Sequence, residues 1–376
     1  MPAPFQCLAV TTPGLEAITA AELAALRLTP GESEPGGVSF VAHHSGIYRA
    51  NLELRTATRV LVRVARFHAH SFFELERHAG EIPWEDWLPP GAEPVFRVTS
   101  RKSKLYHQDA VAERLLKAAG REGGKAAGPA STLPPSRPSA LFVARLWRDE
   151  LTLSVDASGE ALHRRGYRLE TAKAPLRETL GAAMLLAMAY DGSAPLIDPF
   201  CGSGTIPIEA ALIARRMAPG RRRPFAFERW PRFEPATWSK VKHEAEAKVL
   251  DRVPAPILGS DRDAGAVEAS RANAMRAGVH EDATFERKAL SDLDYGNSAA
   301  GWVVTNPPYG VRIGDRRELR DLYARLGQVL ARRPPAWRAA ILSAYRELER
   351  AAGIDWAEIL ETTNGGLGVR LMEGGR

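Results

Sequence analysis

Apolar residues recur along this chain with two alternating periods. Short runs at residues 7–10, 38–41 and 60–64 predict strands, and between them residues 15–26 and 47–54 carry apolar positions at helical spacing. Pro13-Gly14 and Glu34-Pro35-Gly36-Gly37 punctuate this stretch, which reads as a small α+β unit. Arg55, Arg59, Arg63 and Arg66 line its end, either as a solvated edge or as contacts to a polyanion. Residues 95–99 predict a further strand, and 105–119 a helix with Val111, Leu115 and Ala119 on one face. A stretch rich in Gly, Ala, Pro and Ser at 120–139 predicts a loop, after which two alternating strands at 141–147 and 151–155 are joined by an Arg148-Asp149-Glu150 turn.

The second half alternates helix and strand. Leu176, Leu180, Met184 and Met188 mark a helix over 174–189. A short apolar run, Pro195, Leu196 and Ile197, then ends in Asp198 and a glycine turn, and Ile206, Ala210, Ile213 and Met217 mark the next helix. Beyond an insertion at 217–253, strands are expected at 257–261, 284–287, 302–305 and 339–343, with helices at 264–277 and 318–331 and a last pair of strands near 358–362 and 369–372. This is an α/β arrangement.

Composition narrows the reading only moderately. A chain of 376 residues with 45% hydrophobic content has room for two or three domains. Its 51 Lys and Arg against 45 Asp and Glu give +6, as expected for a nucleic-acid partner, though a basic soluble enzyme would show the same. Cys7 and Cys201 lie far apart in apolar contexts, which indicates neither a disulfide framework nor a zinc site. His68 and His70 share a strand face without evident further ligands, so no metal is expected. No apolar run reaches the roughly 18 residues of a membrane span, and the N-terminus lacks a charged-then-apolar signal. The expectation is a cytoplasmic protein, monomeric, without a membrane partner.

The glycine turn carries the first chemistry. Gly202 and Gly204 lack a Cβ and can take positive φ, so a ligand can approach the backbone amides. A dinucleotide fingerprint would place a third glycine where Pro207 stands, and a phosphate-binding P-loop would need a lysine at the helix start. Asp198-Pro199-Phe200-Cys201-Gly202-Ser203-Gly204 instead resembles the first motif of S-adenosylmethionine-dependent methyltransferases. The resemblance implies that Asp198, Pro199, Phe200, Gly202, Ser203 and Gly204 wrap the methionine part of the cofactor. It implies also that Thr179, within Ala174-Pro175-Leu176-Arg177-Glu178-Thr179-Leu180, packs beside it, and that Asp261, followed by Arg262, takes the ribose hydroxyls. An ionised carboxylate suits that task, because both its oxygens only accept. Where relatives hold the adenine amino group with an acid, this chain has Ala289, and Asp292 or backbone would take the role.

Asn306-Pro307-Pro308-Tyr309-Gly310 follows the strand expected at 302–305 and resembles the motif of methyltransferases acting on planar amines. Two prolines stiffen the backbone, Asn306 offers an amide oxygen to an amine hydrogen, and Tyr309 offers a flat face to a base. Asn306 would also border the cofactor. Methylation at pyrimidine C5 would need a thiol in a Pro-Cys context, which is absent, so an exocyclic nitrogen is the expected target.

Ser100-Arg101-Lys102-Ser103-Lys104 places three cations at the expected start of a helix, where they oppose the helix dipole but suit phosphate. With the following helix, the closing hairpin and the linker His163-Arg164-Arg165-Gly166-Tyr167-Arg168, this region resembles the THUMP domain, an RNA-binding module. The resemblance implies RNA contacts at Arg101, Lys102 and Lys104. The insertion, with Arg221-Arg222-Arg223 and Phe225, Phe227, Trp230, Phe233 and Trp238, reads as a hydrophobic flap over the sheet or as a stacking surface for RNA. The order of the whole chain resembles the THUMP-containing RNA guanine-N2 methyltransferases. What that implies is a ferredoxin-like segment at 1–65, a THUMP domain at 66–165 and a class I (Rossmann-like) seven-stranded methyltransferase sheet at 166–376. The implied product is N2-methylguanosine, in large-subunit ribosomal RNA or else in tRNA, and a chain of this length is expected to hold one methyltransferase activity. A DNA adenine or protein glutamine methyltransferase would share the Asn-Pro-Pro-Tyr motif without needing the THUMP-like region, and a non-catalytic RNA-binding protein would need the region without the motifs.

Overall fold

The computed structural model describes residues 3–89, 91–120, 139–168, 176–310 and 316–375. The loop expected at 120–139 and the start of the helix expected at 174 fall largely outside them. Among the described residues the strands form two seven-stranded sheets. The first is built from β1 (Phe5–Thr11), β2 (Pro30–Glu34), β3 (Gly37–Ala42), β4 (Ala57–His68), β5 (Glu93–Arg101), β6 (Ser139–Trp147) and β7 (Glu150–Asp156), in the order β2-β3-β1-β4-β7-β6-β5. Helices α1 (Glu16–Ala25), α2 (His44–Glu53), α3 (Phe72–Gly80) and α4 (Gln108–Ala118) accompany it.

Among the described residues of this sheet only β5 and β6 pair in parallel, and α4 lies between them in the chain. β4 spans twelve residues, pairing with β1 through Val62 and with β7 from Leu61 to His68, so residues on both sides of position 65 share one sheet. The edge strand β2 was not anticipated. Its sequence, Pro-Gly-Glu-Ser-Glu, has no apolar alternation, and its pairing with β3 is irregular. The helix expected from residue 105 begins at Gln108.

The second sheet holds β8 (Leu196–Asp198), β9 (Ile257–Asp261), β10 (Ala283–Arg287), β11 (Ala300–Thr305), β12 (Ala336–Ser343), β13 (Trp356–Asn364) and β14 (Leu367–Gly374), in the order β10-β9-β8-β11-β12-β14-β13. β10 to β12 run parallel in this row and β14 is antiparallel to both its neighbours. This is the class I sheet expected from the motifs. Its helices are α5 (Glu178–Ala187), α6 (Thr205–Ala214), α8 (Ala264–Ala277), α9 (Arg316–Leu330) and α10 (Arg346–Ala351), while α7 (Pro235–Glu246), between β8 and β9 in the chain, buries its apolar residues in the core of the first sheet. From β8 the chain builds outward to β9 and β10, and then resumes on the other side at β11. The strand order therefore reverses between β8 and β11, where the carboxyl ends of parallel strands leave a crevice.

The insertion corrects an expectation. Phe225, Phe227, Trp230 and Trp238 are at most 6% exposed and belong to the core of the first sheet, so they neither stack on RNA nor cover the second sheet. Tyr48 of α2 stacks on Phe227 at 4.4 Å, Trp238 meets Phe227 edge-on at 5.2 Å, and Trp87 meets Trp230 edge-on at 5.4 Å. Around this aromatic plug α7 ties to α2 through Glu244 with Arg49 at 2.6 Å, and Lys248, just beyond α7, pairs with Glu53 at 3.2 Å. Arg221 and Arg222 donate to the Ala277 and Arg276 carbonyls, and Arg223 donates to the carbonyls of Ser158, Glu160, Ala161 and Arg164 in the linker. Arg55, a possible polyanion contact by sequence, is instead turned inward, donating to the Leu212 and Met217 carbonyls at the end of α6.

A second seam lies across the molecule. Gly14, at φ +94°, packs so closely on the backbone of β13 that an added Cβ would sit 1.8 Å from the Glu361 carbonyl oxygen, and Thr362 donates to the Pro13 carbonyl at 2.8 Å. The two sheets are thus held as one body by buried contacts. Phe227→Ala should therefore lower global stability by about 3–5 kcal/mol, the usual cost of deleting a buried aromatic ring. Urea denaturation followed on both halves checks this: loss in one half with the other unchanged contradicts a shared core.

Candidate active site

The crevice between β8 and β11 collects the residues that carry chemistry. Gly204 precedes α6 at φ +83°, and a Cβ there would meet Phe285 Cε1 and Ser270 Cβ at 3.1 Å, so the turn fits tightly against its own scaffold. Gly202, at φ +51°, has nothing within 4 Å of where its Cβ would stand. One glycine is demanded by packing and the other leaves space for a ligand.

The turn is clamped by residues that sequence reasoning did not single out. Ser270 and Asn273, three apart on α8, donate to the Gly202 carbonyl at 2.7 Å and the Ser203 carbonyl at 3.0 Å. Both are fully buried beside Val267, Ala274 and Ala277, and two polar residues on an otherwise apolar helix face were the available signal. Arg168 of the linker donates to the Leu176 carbonyl at 2.7 Å and the Thr205 hydroxyl at 2.6 Å, and its Nε lies 3.3 Å from Glu178. It joins the start of α5 to the start of α6. Thr179 is buried one residue into α5, and two residues on Gly181 abuts Thr205, where an added Cβ would sit 3.1 Å from Cγ2.

Asp198 and Asp261 end adjacent parallel strands. Asp198 is 1% exposed and accepts from the Thr305 hydroxyl at 2.6 Å and the Phe200 amide at 3.2 Å. Burial pushes its carboxyl up to about 7, helped by the Asp261 charge and opposed by those two hydrogen bonds. Asp261 accepts the Gly202 amide on one oxygen and the Asp263 amide on the other, both at 3.0 Å, leaving a second lone pair on each oxygen for a hydroxyl. Pro199 is buried, Phe200 packs partly on the cluster around Val303 and Ile341, and Ser203 is 5% exposed. Arg262 is exposed at the mouth of β9, with its carbonyl accepting from Arg287. Asp292 is also exposed, in a short turn after β10, with Ser291 donating to it at 3.1 Å.

Thr305 ends β11, so its bond to Asp198 joins the glycine turn to the residues that follow. Asn306 comes next, and its side-chain oxygen is buried without a hydrogen-bond partner among the described residues. Such an acceptor is costly unless something fills it. Pro307 is buried and Pro308 half-buried. Tyr309 is half-buried between two apolar clusters, and its hydroxyl accepts from Asn364 of β13 at 2.8 Å. Burial raises that phenol above its ordinary value. Among the described residues no three His, Cys, Asp or Glu side chains converge as a metal would require.

The basic turn lies apart from this crevice, at the far end of β5. Arg101, Lys102 and Lys104 are exposed, but the expectation that they meet free helix amides is not met: Leu105, Tyr106 and His107 separate them from α4, and Leu105 is buried. The turn is braced instead by the β6–β7 turn, with the Lys104 amide donating to Asp149 at 2.6 Å and the Asp149 amide to the Ser103 hydroxyl at 2.9 Å.

Residues 165–373 match the family described as RMKL-like, methyltransferase domain, and residues 6–61 match the RlmL ferredoxin-like domain. A ribosomal RNA large subunit methyltransferase K/L from Syntrophotalea carbinolica is 37% identical over 99% of this chain, which spans 54% of that protein. A putative RNA methyltransferase from a Synechocystis strain is 32% identical over 96% of this chain and 94% of its own length. The solved structure of a putative methyltransferase, SMU.472, complexed with SAH superposes with a TM-score of 0.86 at 32% identity, covering all of both chains. The chain belongs to the RMKL-like methyltransferase family.

Proposed function

We propose that this protein is an S-adenosylmethionine-dependent RNA methyltransferase that forms N2-methylguanosine in large-subunit ribosomal RNA. The observation that carries the reading is the orphaned Asn306 oxygen, a buried acceptor one residue beyond the threonine that holds Asp198. The ribosomal substrate rests on the K/L relatives, of which the chain matches about half. Residues 1–65 would form the ferredoxin-like segment, 66–165 a THUMP-type RNA-binding region and 166–376 the catalytic domain.

The residues present fit the cofactor. Open space at Gly202, two strand-end carboxylates and a clamped backbone turn make a cradle for a molecule with a cationic amino-acid end and a ribose diol. Asp198 and the 199–204 turn would hold the former and Asp261 the latter. Bound there, S-adenosylmethionine supplies an electrophilic methyl group.

The chain's own task is to present an amine. An aryl amine is a weak nucleophile because its lone pair is delocalised into the ring. Asn306 Oδ1 and the Pro307 carbonyl can accept its two hydrogens and turn the lone pair out of the ring, while Tyr309 stacks on the base. Extruding a base from a helix costs a few kcal/mol, and stacking on an aromatic returns roughly 1–3 kcal/mol. The Tyr309 hydroxyl is already engaged by Asn364, so the face of the ring is what remains for the substrate.

Asn306→Ala should leave cofactor affinity near that of the parent and lower single-turnover methylation at least tenfold, because the lost bonds matter in the transition state. Tyr309→Phe should retain much of the rate and Tyr309→Ala little. Nucleoside analysis of methylated RNA decides the target: methyl on adenine or cytosine contradicts the guanine assignment, and full activity in Asn306→Ala contradicts the mechanism.

RNA binding through Arg101, Lys102 and Lys104 should weaken with salt, and replacing all three by alanine should flatten the slope by roughly one unit per lost phosphate contact. Filter binding over a salt series measures it. Identical slopes would leave these cations as a solvated surface.

Asp198 gives a pH signature. Its carboxyl titrates near 7 in the folded protein and near 4 unfolded, so between those values the folded state holds more protons and stability falls as pH rises. Asp198→Asn, which cannot ionise, should be more stable than the parent by up to a few kcal/mol at pH 8, with the advantage gone by pH 4. Denaturation without cofactor at the two pH values is the check, and equal pH dependence in both proteins contradicts it.

A further inference from the structure

Trp147 is an unusual side chain to leave in the open. Alternation along β6 buries Phe142, Ala144 and Leu146 and puts Arg145 and Trp147 on the outer face of the sheet, where Trp147 is 39% exposed. Two cations stand over its ring, Lys102 Nζ at 5.1 Å from the centroid and the Arg148 guanidinium at 5.7 Å. Tyr106, 66% exposed, lies two residues beyond the same basic turn with its ring 4.1 Å from His107.

The backbone here is not what stability would select. Lys102, Arg148 and Asp149 all have positive φ, at 54°, 52° and 65°. The Arg148-Asp149 pair forms the two-residue connection between β6 and β7, where such angles favour Asn-Gly, and an arginine bears the strain of a left-handed conformation. What the strained turn achieves is placement. It aims Arg148 across Trp147, and it presents Asp149 to the Lys104 amide, to the Ser103 hydroxyl and, at 3.2 Å, to His70. The Arg148 amide also donates to the Arg101 carbonyl at 3.3 Å, so the two turns form one braced tip.

We propose that this tip is a binding site for an unpaired nucleotide of the RNA substrate, whose base stacks on Trp147 while Lys102, Lys104 and Arg148 take the flanking phosphates. The inference rests on the RNA methyltransferase reading and sharpens it. Cations alone would follow the phosphates of a duplex as readily as those of a single strand. A flat ring covered by two cationic side chains that leave it for the phosphates does what cations alone cannot, because only an unpaired or terminal base offers it a face. The substrate class is therefore RNA with a single-stranded loop or end that reaches the tip of the first sheet while the target guanine occupies the crevice of the second.

The test compares a fluorescently labelled single-stranded RNA with its duplex of equal length, using anisotropy on the full chain. The parent should prefer the single strand. Trp147→Ala should lose about tenfold or more of single-strand affinity and little for the duplex, and its salt slope should stay that of the parent, since no cation is removed. Trp147→Phe should recover most of the loss, and calorimetry with S-adenosylhomocysteine confirms that each variant is folded. Equal affinity of the parent for both RNAs, or an unchanged single-strand affinity in Trp147→Ala, overturns the proposal. If the parent forms N2-methylguanosine in RNA while Trp147→Ala binds unchanged, only this inference fails. If the parent binds neither RNA, the RNA reading fails and the inference with it.

Discussion

Glu209 sits fully buried in α6, the single charged residue of a helix whose other positions read Thr-Ile-Pro-Ile and Ala-Ala-Leu-Ile-Ala. Removing a carboxylate from water costs several kcal/mol unless partners replace the water. The partners all come from outside the helix: Tyr167 donates to it at 3.1 Å and Arg165 approaches at 3.5 Å, both from the linker. Arg165 also donates to the carbonyls of Leu162 and Arg55, and Arg55 reaches back to the carbonyls that end α6. Burial lowers the Arg55 guanidinium, with Glu209 and Glu22 as the nearest compensating charges. The demand of one buried acid thus forces the linker and the first unit onto the helix that begins at the glycine turn.

This constraint explains why the insertion takes the shape it does. Once α6 is bound to the first unit, the chain leaving it at Met217 emerges against α2, and the Gly220 amide donates to the Leu52 carbonyl at 2.9 Å. A Cβ at Gly220 would stand 3.0 Å from the carbonyl oxygens of both Asn51 and Leu52, so only glycine lets the strands of backbone meet. The aromatics that follow then fill the space beside Tyr48. Their composition left a flap over the sheet and a stacking surface for RNA both open, because arginine and aromatic residues suit RNA and a protein interface alike. Only the three-dimensional course of the chain distinguishes a ring turned to solvent from one buried against Tyr48.

What could be read in the sequence follows from the range of the interactions involved. Helices and strands with a strong apolar period lay close to where the period put them, since a half-buried element must show its face to the core. β2 escaped because an edge strand of Pro, Gly, Ser and Glu shows none. The turn from Asp198 to Gly204, Asp261 and the segment from Asn306 to Tyr309 could be picked out because each lies at a strand end in a short local pattern, and the structure brings them to one crevice. Ser270, Asn273, Arg168 and Asn364 were not, because each acts on a partner remote in the chain: Ser270 reaches Gly202, Asn364 reaches Tyr309. The start of α4 was misplaced because Leu105 is buried and looks helical, yet Tyr106 and His107 are extended or turned before the helix begins at Gln108.

Thr305 makes the site a unit rather than two neighbouring motifs. The hydroxyl is buried, Asp198 is buried, and the bond between them at 2.6 Å adds a side-chain link to the backbone pairing of the glycine turn's strand with the Asn-Pro-Pro-Tyr strand. It works in whichever state Asp198 holds, because a hydroxyl donates to a carboxylate and can equally accept from a carboxylic acid. A cation entering beside Asp198 favours the ionised form, and the Thr305 hydrogen then commits to that oxygen. The residue after Thr305 is Asn306, whose buried side-chain oxygen has no hydrogen-bond partner among the described residues. The route from the Asp198 charge to that oxygen is therefore short, one hydrogen bond to Thr305 and one peptide bond on.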